Sequence, residues 1–419
     1  MMRSMREGLT PLVLILLFLL PLAGCADDGT EEPTIEPTGT AKPAEDVVIT
    51  IGNLTDLTGP TANGVEPVNW SVKDTVKYFN DENLIPGVKL KVVEYDGQFD
   101  PSRDIPGYEW LKEKGADVIF ASLPGMTITL KNRANADKMP IFATTGDMKA
   151  LMPAGYIFTL GTVPQYEGYT ILKWLAENDP DFPQDRPAKI GGASWADGYS
   201  GQVFDAMKEY TDAYPDQYDW VDDYLTPVKF MWQTEVGSLK ECDYIFPPNP
   251  ITSFADELRD AGSDAKLIGT DTHAAFLGLV DKGNLWDEVD GTLLIRSSLW
   301  WNEEEGEMID LTRDILHRYR ADSAEEIMIT NGYLGVNSIY QVLDIIRRAA
   351  ETVGPDNLDS MALYDAAQSA SLVLDGVERY SYSETKRDAV DNFVIYEIDG
   401  AKKDMIRADP EWVPVVREP

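Results

Sequence analysis

The body of the chain alternates short apolar runs with segments whose apolar residues recur every three or four positions. Residues 47–52 form a run of β-branched and aliphatic residues that is typical of a buried strand. The next segment places one apolar stripe on a helix, with Val65, Val68, Val72, Val76 and Phe79. The same alternation predicts strands at 88–95, 117–121, 139–144, 188–194, 243–246 and 266–269, and helices at 108–114, 166–178, 201–214 and 253–261.

Strands and helices that alternate at this spacing predict an α/β fold. In such a fold the strands form parallel sheets, and helices cover both faces of each sheet. The body is too long for one doubly wound sheet, so we expect two doubly wound parallel-sheet lobes.

The first 25 residues have the pattern of an export signal. Arg3 and Arg6 precede an apolar run at 11–21, and Leu22-Ala23-Gly24-Cys25 follow it. The run has about half of the ~20 residues that a membrane-spanning helix needs. Its end resembles a bacterial lipobox, which implies a lipoprotein signal peptide at 1–24, cleavage before Cys25 and a lipid on the Cys25 sulfur. An ordinary signal peptide with a chance cysteine is the alternative.

Residues 25–46 are predicted to be a lipidated cysteine and a disordered acidic tether. The segment 26–46 has seven acidic residues, one lysine, three prolines and no apolar periodicity. We therefore expect an extracytoplasmic protein, anchored to the cell membrane by its N-terminal lipid, in a periplasm or at a cell surface.

Charge and reactive residues exclude several classes of function. The chain has 72 acidic and 36 basic residues, a net charge of −36, which argues against nucleic acid as a partner. His273 and His317 have no second histidine or cysteine at a metal-ligand spacing, and Cys242 stands at the start of a predicted buried strand. There is no G-x-S-x-G, phosphate-loop or G-x-G-x-x-G motif. The sequence predicts no metal, no cofactor and no enzyme activity.

Polar and aromatic loops follow the predicted strands. In open parallel sheets, ligands bind beyond the carboxyl ends of the strands, so these loops predict a cleft. The loops are 53–64, 122–127, 144–147, 195–199, 246–249 and 270–273.

The order of these segments resembles the branched-chain amino acid family of type I solute-binding proteins of ABC transporters. The similar segments, which together span 47–410, are 51–64 (IGNLTDLTGPTANG), 88–101 (VKLKVVEYDGQFDP), 117–121, 139–146, 189–201 (KIGGASWADGYSG) and 332–350. The resemblance implies two lobes joined by three hinge crossovers, near 161–164, 296–299 and 377–382. Lobe one would comprise 47–162 and 299–377, and lobe two 163–298 and 378–419.

The resemblance also implies the ligand contacts. Lobe one would hold the ligand's carboxylate with Ser122, Thr127, Thr144 and Thr145. Lobe two would meet its ammonium group with Asp271 and the aromatic residues Tyr199 and Phe246. Tyr333, Trp300 and Trp301 could line the rim, although a packed hinge is an equal alternative for the two tryptophans.

Two departures from the family pattern widen the range of ligands. Leu123-Pro124-Gly125-Met126 replaces a loop that is usually rich in serine and threonine, and Gly64 stands near a position where some relatives carry tryptophan. An amide, a urea-like compound, an aromatic acid or a short peptide would suit the same architecture as an amino acid.

The function that the resemblance implies is capture of a small polar solute, an amino acid or a related amide or carboxylate, for an ABC importer. The permease and ATPase subunits would be separate chains, and the protein itself a monomer. The alternatives are a binding protein that signals through a membrane receptor and, with less support, an extracytoplasmic enzyme.

Overall fold

The computed structural model describes residues 46–123 and 125–419. The predicted signal peptide, Cys25 and the tether up to residue 45 lie outside the described residues. The described part contains two large sheets that are covered by helices, and these sheets position the site described below.

The first sheet is entirely parallel and has the strand order β2-β1-β3-β4-β5. Its strands are β1 (Val47–Thr55), β2 (Val88–Asp96), β3 (Val118–Ala121), β4 (Ile141–Thr145) and β5 (Ile157–Thr162). Seven consecutive residues of β1, from Ile49 to Thr55, are buried, because helices cover the sheet on both faces.

The second sheet has the order β14-β13-β10-β9-β8-β6-β7 and combines parallel with antiparallel pairs. Its strands are β6 (Ala188–Trp195), β7 (Tyr218–Thr226), β8 (Tyr244–Phe246), β9 (Lys266–Thr270), β10 (Leu293–Arg296), β13 (Asn392–Asp399) and β14 (Asp404–Arg407), with β15 (Val413–Pro414) paired to β13. The pairs from β6 to β10 are parallel, as predicted. The sequence did not predict the two antiparallel strands at the edge, where β13 pairs with β10 and β14 with β13.

The helices lie between the strands along the chain. The helices that precede β10 are α1 (Ala62–Asp81), α2 (Asp104–Glu113), α3 (Met126–Asp137), α4 (Met148–Leu151), α5 (Pro164–Asn178), α6 (Ser200–Ala213), α7 (Gln233–Leu239), α8 (Thr252–Asp260), α9 (Asp271–Ala274) and α10 (Leu277–Gly283). The later helices are α11 (Glu307–Arg320), α12 (Ala324–Ile327), α13 (Val336–Val353) and α14 (Ser360–Ala367). A small hairpin of β11 (Ser371–Leu374) and β12 (Val377–Ser381) follows.

The chain passes between the two sheets three times. After β5 it enters α5, which packs against α6 of the second sheet. After β10 it returns to α11 and α13, which contact α1. After β12 it reaches β13 and rejoins the second sheet. The fold class is therefore confirmed as two α/β lobes, and the lobe boundaries at 162, 298 and 377 remain our proposal.

Side chains join the three passages to one another. The Tyr382 hydroxyl donates to the Thr159 carbonyl at 2.7 Å, and the Tyr380 hydroxyl donates to the Ser297 carbonyl at 2.8 Å. The buried Arg379 guanidinium donates to the same Ser297 carbonyl at 2.9 Å. The passages therefore form one hydrogen-bonded hinge rather than three independent linkers.

Candidate functional site

A cleft of about 220 Å³ lies where the carboxyl ends of the two sheets face each other. Residues at or just beyond the ends of β4, β5, β6, β9 and β10 line it. This is the position at which open parallel sheets bind ligands, and both sheets contribute here.

The wall on the side of the first sheet combines hydroxyl groups with apolar side chains. Its polar members are Thr61, Ser122, Thr144, Thr145 and Thr162, and Asn331, Asn337 and Ser338 come from the segment between the second and third passages. Its apolar members are Val65, Val68, Phe99, Leu123 and Leu334. The wall therefore offers neutral hydrogen-bonding groups beside an apolar surface.

The wall on the side of the second sheet contains the acidic residues of the cleft. Its members are Trp195, Asp197, Tyr199, Asn249, Asp271, Thr272, Ala275, Phe276, Ser297 and Ser298. Among the described residues that line the cleft on either side, none is lysine, arginine or histidine. The cleft surface is therefore acidic or neutral.

Asp271 is held by an ion pair behind the cleft surface. Its Oδ1 accepts from Arg296 Nε at 2.7 Å, and its Oδ2 accepts from the Ser297 backbone N–H at 3.0 Å and the Ser297 hydroxyl at 2.9 Å. The Arg296 side chain is fully buried and lies against the rings of Trp300 and Tyr396, at 4.8 and 5.7 Å from their centroids. Most acceptor positions of the Asp271 carboxylate are thus already used.

Asp197 caps the helix that follows it. Its Oδ1 accepts from the backbone N–H groups of Tyr199 and Ser200, at 3.0 and 2.8 Å, next to the start of α6. Burial raises the pKa of the Asp197 carboxyl, and its hydrogen bonds to Ser200 and Tyr199 lower it in part. An aspartate suits this position, because its short acidic side chain accepts hydrogen bonds from the free N–H groups at the start of a helix.

A buried acid lies behind Tyr199. The Tyr199 hydroxyl bonds to Glu167 Oε2 at 2.5 Å and to Thr270 Oγ1 at 2.9 Å. Glu167 is fully buried, and this burial raises its carboxyl pKa well above the usual range. Burial therefore disfavours a negative charge on Glu167 behind the cleft.

The two walls touch each other at one side of the cleft. Asn331 Nδ2 donates to the Asp271 carbonyl at 2.6 Å. The Phe276 ring lies against the backbone of Gly64 so closely that a Cβ at Gly64 would be 2.8 Å from Phe276 Cζ. A side chain at position 64 would force the Phe276 ring to shift, so glycine permits this approach between the lobes.

Three polar side chains of the cleft keep an atom without a hydrogen-bond partner in the described chain. These buried atoms are Thr145 Oγ1, Asn249 Oδ1 and Asn337 Oδ1. Buried polar atoms without a partner are uncommon in folded proteins, and a ligand is one explanation for them. They therefore mark hydrogen-bonding capacity at the cleft.

The structure brings together five of the residues predicted from the sequence. Ser122, Thr144, Thr145, Tyr199 and Asp271 all line the cleft.

The other predicted residues lie outside the lining. Thr127 is buried in α3, and Phe246 packs edge-on against Phe204 and His273. Tyr333 donates from its hydroxyl to Asp74 at 2.8 Å, and Trp300 and Trp301 are buried beside the second sheet. Packing and hydrogen bonds within the protein account for the positions of these residues.

Sequence reasoning missed Phe276, Ser297, Asn331 and Asn337 as cleft residues. Ser297 lies at the second passage between the sheets, and Asn337 lies in the first turn of α13. The sequence of either segment alone does not show that the two meet at the cleft. Phe276 follows the predicted loop at 270–273 by three residues, so a longer loop would have included it.

The described residues give no sign of a metal centre or a membrane span. No group of three or more histidine, cysteine, aspartate or glutamate side chains in the described part is arranged to hold a metal ion. No helix in the same part is both long enough and apolar enough to cross a membrane.

Residues 48–196 match a family model described as "Periplasmic binding protein". The described chain is also similar to a solved structure of a branched-chain amino acid ABC transporter protein from Thermus thermophilus with bound valine. The sequence identity is 16%, the TM-score is 0.77, and the match covers 89% of this chain and 98% of the other. A comparison with curated proteins finds no match.

Two further solved structures show the same likeness with other ligands in their descriptions. A fatty acid ABC transporter substrate-binding protein from Thermomonospora curvata has 18% identity and a TM-score of 0.72, over 88% of this chain and 95% of the other. A solute-binding protein from Rhodopseudomonas palustris in complex with 3,4-dihydroxybenzoic acid has 15% identity and a TM-score of 0.70, over 89% and 99%.

These comparisons confirm the resemblance seen in the sequence. The described chain has the fold of type I periplasmic binding proteins, and the matched family model and solved structures are of binding proteins rather than enzymes. At these identities the structural likeness establishes the fold.

Proposed function

We propose that this chain is an extracytoplasmic solute-binding lipoprotein of an ABC importer. It would capture a small organic solute, an amino acid or a related amide or carboxylate, and present it to permease and ATPase subunits on other chains. The observation that carries the proposal is the cleft of about 220 Å³ at the carboxyl ends of both sheets, with hydroxyl and amide groups on both walls.

The size and lining of the cleft support a small solute. Its volume is below the roughly 300–1,000 Å³ of sites for drug-sized ligands. Thr145, Asn249 and Asn337 each keep a free polar atom that could orient the solute. The relatives described with valine and with 3,4-dihydroxybenzoic acid bind solutes of this size range.

The three passages support a hinge mechanism. A solute that contacts both walls favours the state in which the walls are close, in proportion to its differential affinity for that state. The Asn331–Asp271 hydrogen bond and the Phe276–Gly64 contact would contribute to the same state. An importer can then distinguish the loaded protein by its shape.

A thermal-shift screen tests solute capture directly. Amino acids, amides, ureas and small carboxylates would each be added to the purified chain. A solute at 100 times its dissociation constant adds about 2.7 kcal/mol of stability, which shifts the melting temperature by a few degrees. Titration of a hit should give one site per chain, and no stabilisation by any class would contradict the proposal.

The lipid anchor needs its own test, because Cys25 lies outside the described residues. Mass spectrometry of the mature protein should find a lipid on Cys25, and Cys25→Ser should release the protein from the membrane fraction. Retention of the Cys25→Ser variant in that fraction would contradict lipid anchoring at this residue.

Delivery to an importer is tested by accumulation of a labelled solute in cells with and without the chain. We expect accumulation at low solute concentration to require the chain. Unchanged accumulation would contradict a transport role while leaving solute binding intact.

A further inference from the structure

Asp271, on the cleft wall formed by the second sheet (the lobe-two wall), already has a cationic partner. Asp271 is the carboxylate in the cleft that the family resemblance assigns to a ligand's ammonium group. In the structure its Oδ1 is bound by Arg296 Nε at 2.7 Å, and its Oδ2 by two donors of Ser297 at 2.9–3.0 Å. The charge of Asp271 is therefore neutralised from behind the wall.

Arg296 cannot leave this position without cost. Its side chain has no exposed surface, its guanidinium lies against the rings of Trp300 and Tyr396, and its Nη2 donates to the Ser298 hydroxyl at 3.2 Å. Removal of one partner from a buried ion pair leaves an uncompensated charge, which is strongly unfavourable. The pair is thus a fixed part of the wall.

The second acid of the lobe-two wall is also engaged. The Asp197 carboxylate accepts from Tyr199 N–H and from the backbone and hydroxyl of Ser200, at 2.8–3.1 Å. These bonds cap α6. Both acidic residues of this wall therefore already have hydrogen-bond partners within the protein.

An ammonium group on the solute would have poor surroundings in this cleft. Next to Asp271 it would also lie near the Arg296 guanidinium, so the charge that it meets is close to zero. A cation taken out of water needs an anionic partner or several acceptors to offset its lost hydration. A hydroxyl, carbonyl or amide group has a much smaller cost and can bond to Thr272, Ser298 or Asn249.

We propose that the solute carries no ammonium group. Arg296 is the specificity-determining residue, because its ion pair with Asp271 neutralises the carboxylate that would otherwise bind an ammonium group. This inference rests on the proposed function. Among amino acids, amides and carboxylates, it favours the solutes that present an uncharged group to the wall formed by the second sheet. Arg296 acts through Asp271 rather than by contact with the solute.

Two matched ligand series test the inference in the purified chain by titration calorimetry. One series is valine, isovalerate, isovaleramide and isoamylamine, and the other is phenylalanine, 3-phenylpropionate, 3-phenylpropionamide and 3-phenylpropylamine. Within a series the carbon skeleton is shared, so differences in affinity report the charged groups. We expect the members without an ammonium group to bind at least about tenfold more tightly than the amino acid and the amine.

The Arg296→Gln variant tests the role assigned to the ion pair. Without the guanidinium, the Asp271 carboxylate becomes available, so the ratio of affinities between isovaleramide and valine should fall by about tenfold or more. Arg320→Gln is the matched control, because Arg320 pairs with Asp74 at 2.6 Å away from the cleft lining and its loss should leave the ratio unchanged.

The outcomes separate failure of the inference from failure of the proposed function. Tighter binding of valine, phenylalanine or either amine by the wild type would overturn the inference and keep the binding role. Absence of binding by every member of both series would overturn the proposed function and the inference with it. If Arg296→Gln does not fold, the comparison of ligands on the wild type still decides.

Discussion

At the scale of single residues, burial gives two titratable groups opposite effects on stability. Asp104 is buried at the start of α2, and His273 is buried beneath the cleft. Neither side chain lines the cleft. Their titration should therefore change the stability of the fold without directly changing the binding surface.

Asp104→Asn should stabilise the protein at neutral pH. Burial raises the pKa of the Asp104 carboxyl to about 6, while its hydrogen bond with Thr129 partly opposes the shift. Since the folded-state pKa lies above the unfolded value, the native state binds more protons between about pH 4 and 6, and unfolding free energy falls as pH rises. The variant should gain about 1 kcal/mol at pH 8, after the loss of a helix-start charge is included.

Urea unfolding at pH 5 and pH 8 measures this effect, with the exposed Glu113→Gln at the other end of α2 as the control. An equal difference between wild type and Asp104→Asn at both pH values would contradict it.

His273 should make the protein sensitive to acid. Its Nδ1 accepts from the Thr270 N–H at 3.0 Å, its Nε2 lies 3.1 Å from the Pro247 carbonyl, and burial lowers its pKa to about 4. The folded-state pKa is below the unfolded value, so the unfolded state binds more protons and stability falls as pH decreases from about 6.5 to 4. The loss should reach up to about 3 kcal/mol.

Unfolding free energy measured against pH checks this prediction. His273→Asn should be less stable at pH 8, because a buried hydrogen bond is lost, but should lack most of this acid dependence. His317→Asn, at an exposed position on α11, should keep the dependence of the wild type. A His273→Asn profile parallel to the wild type would show that another group is responsible.

The sequence could place several cleft residues in loops after predicted strands, but it could not show that Asp271 has a cationic partner. Ser122, Thr144, Thr145 and Tyr199 follow predicted strands, and the carboxyl ends of parallel strands converge. Asp271 also follows a predicted strand, and the family resemblance assigned it, like the other four, to a ligand contact. Its partner Arg296 is the last residue of β10, 25 positions later, and only the sheet pairing of β9 with β10 brings the two together.

At the scale of elements, α1 and the residue before α10 form a close contact between the lobes. Gly64 of α1 has no side chain, and the Phe276 ring occupies the space that a Cβ would need. The family that the sequence resembles has a tryptophan near this position in some members. In this chain the aromatic ring at that place comes from the opposite lobe.

Gly64→Leu should weaken solute binding and leave the free fold intact. A leucine side chain would collide with Phe276 and hold the lobes apart, so affinity for a solute identified by the screen should fall by about tenfold or more. Gly237→Leu is the matched control, because nothing lies within 4 Å of a Cβ at that helical position. Equal affinities of the two variants, measured by calorimetry, would contradict the role of this contact.

The elements that sequence patterns predicted well are those with strong local periodicity. The stripe from Val65 to Phe79 lies within α1, and the apolar run from residue 47 lies within β1. The antiparallel strands β13 and β14 were not predicted, because their place in the sheet depends on the third passage of the chain. Their residues, such as Tyr396 and Met405, are buried by distant partners rather than by a local pattern.

At the scale of the whole molecule, the excess of acidic residues should make stability depend on salt. The net charge is −36, and like charges repel in the compact state. Salt screens this repulsion, since the Debye length falls from about 10 Å at 0.1 M to about 3 Å at 1 M. Unfolding free energy should therefore rise between 0.05 and 1 M, equally for NaCl and KCl, and a flat profile would contradict the prediction.

The central claim is that a small solute binds once per chain in the cleft between the two sheets. Ala275 lines this cleft, and Ala275→Trp would fill much of its volume of about 220 Å³. The exposed Ala261→Trp is the matched control at the end of α8. The most direct measurement is calorimetric titration of the best solute into the wild type and both variants. One site per chain that survives in Ala261→Trp and disappears in Ala275→Trp is the result we predict, and undiminished binding by Ala275→Trp would contradict the account.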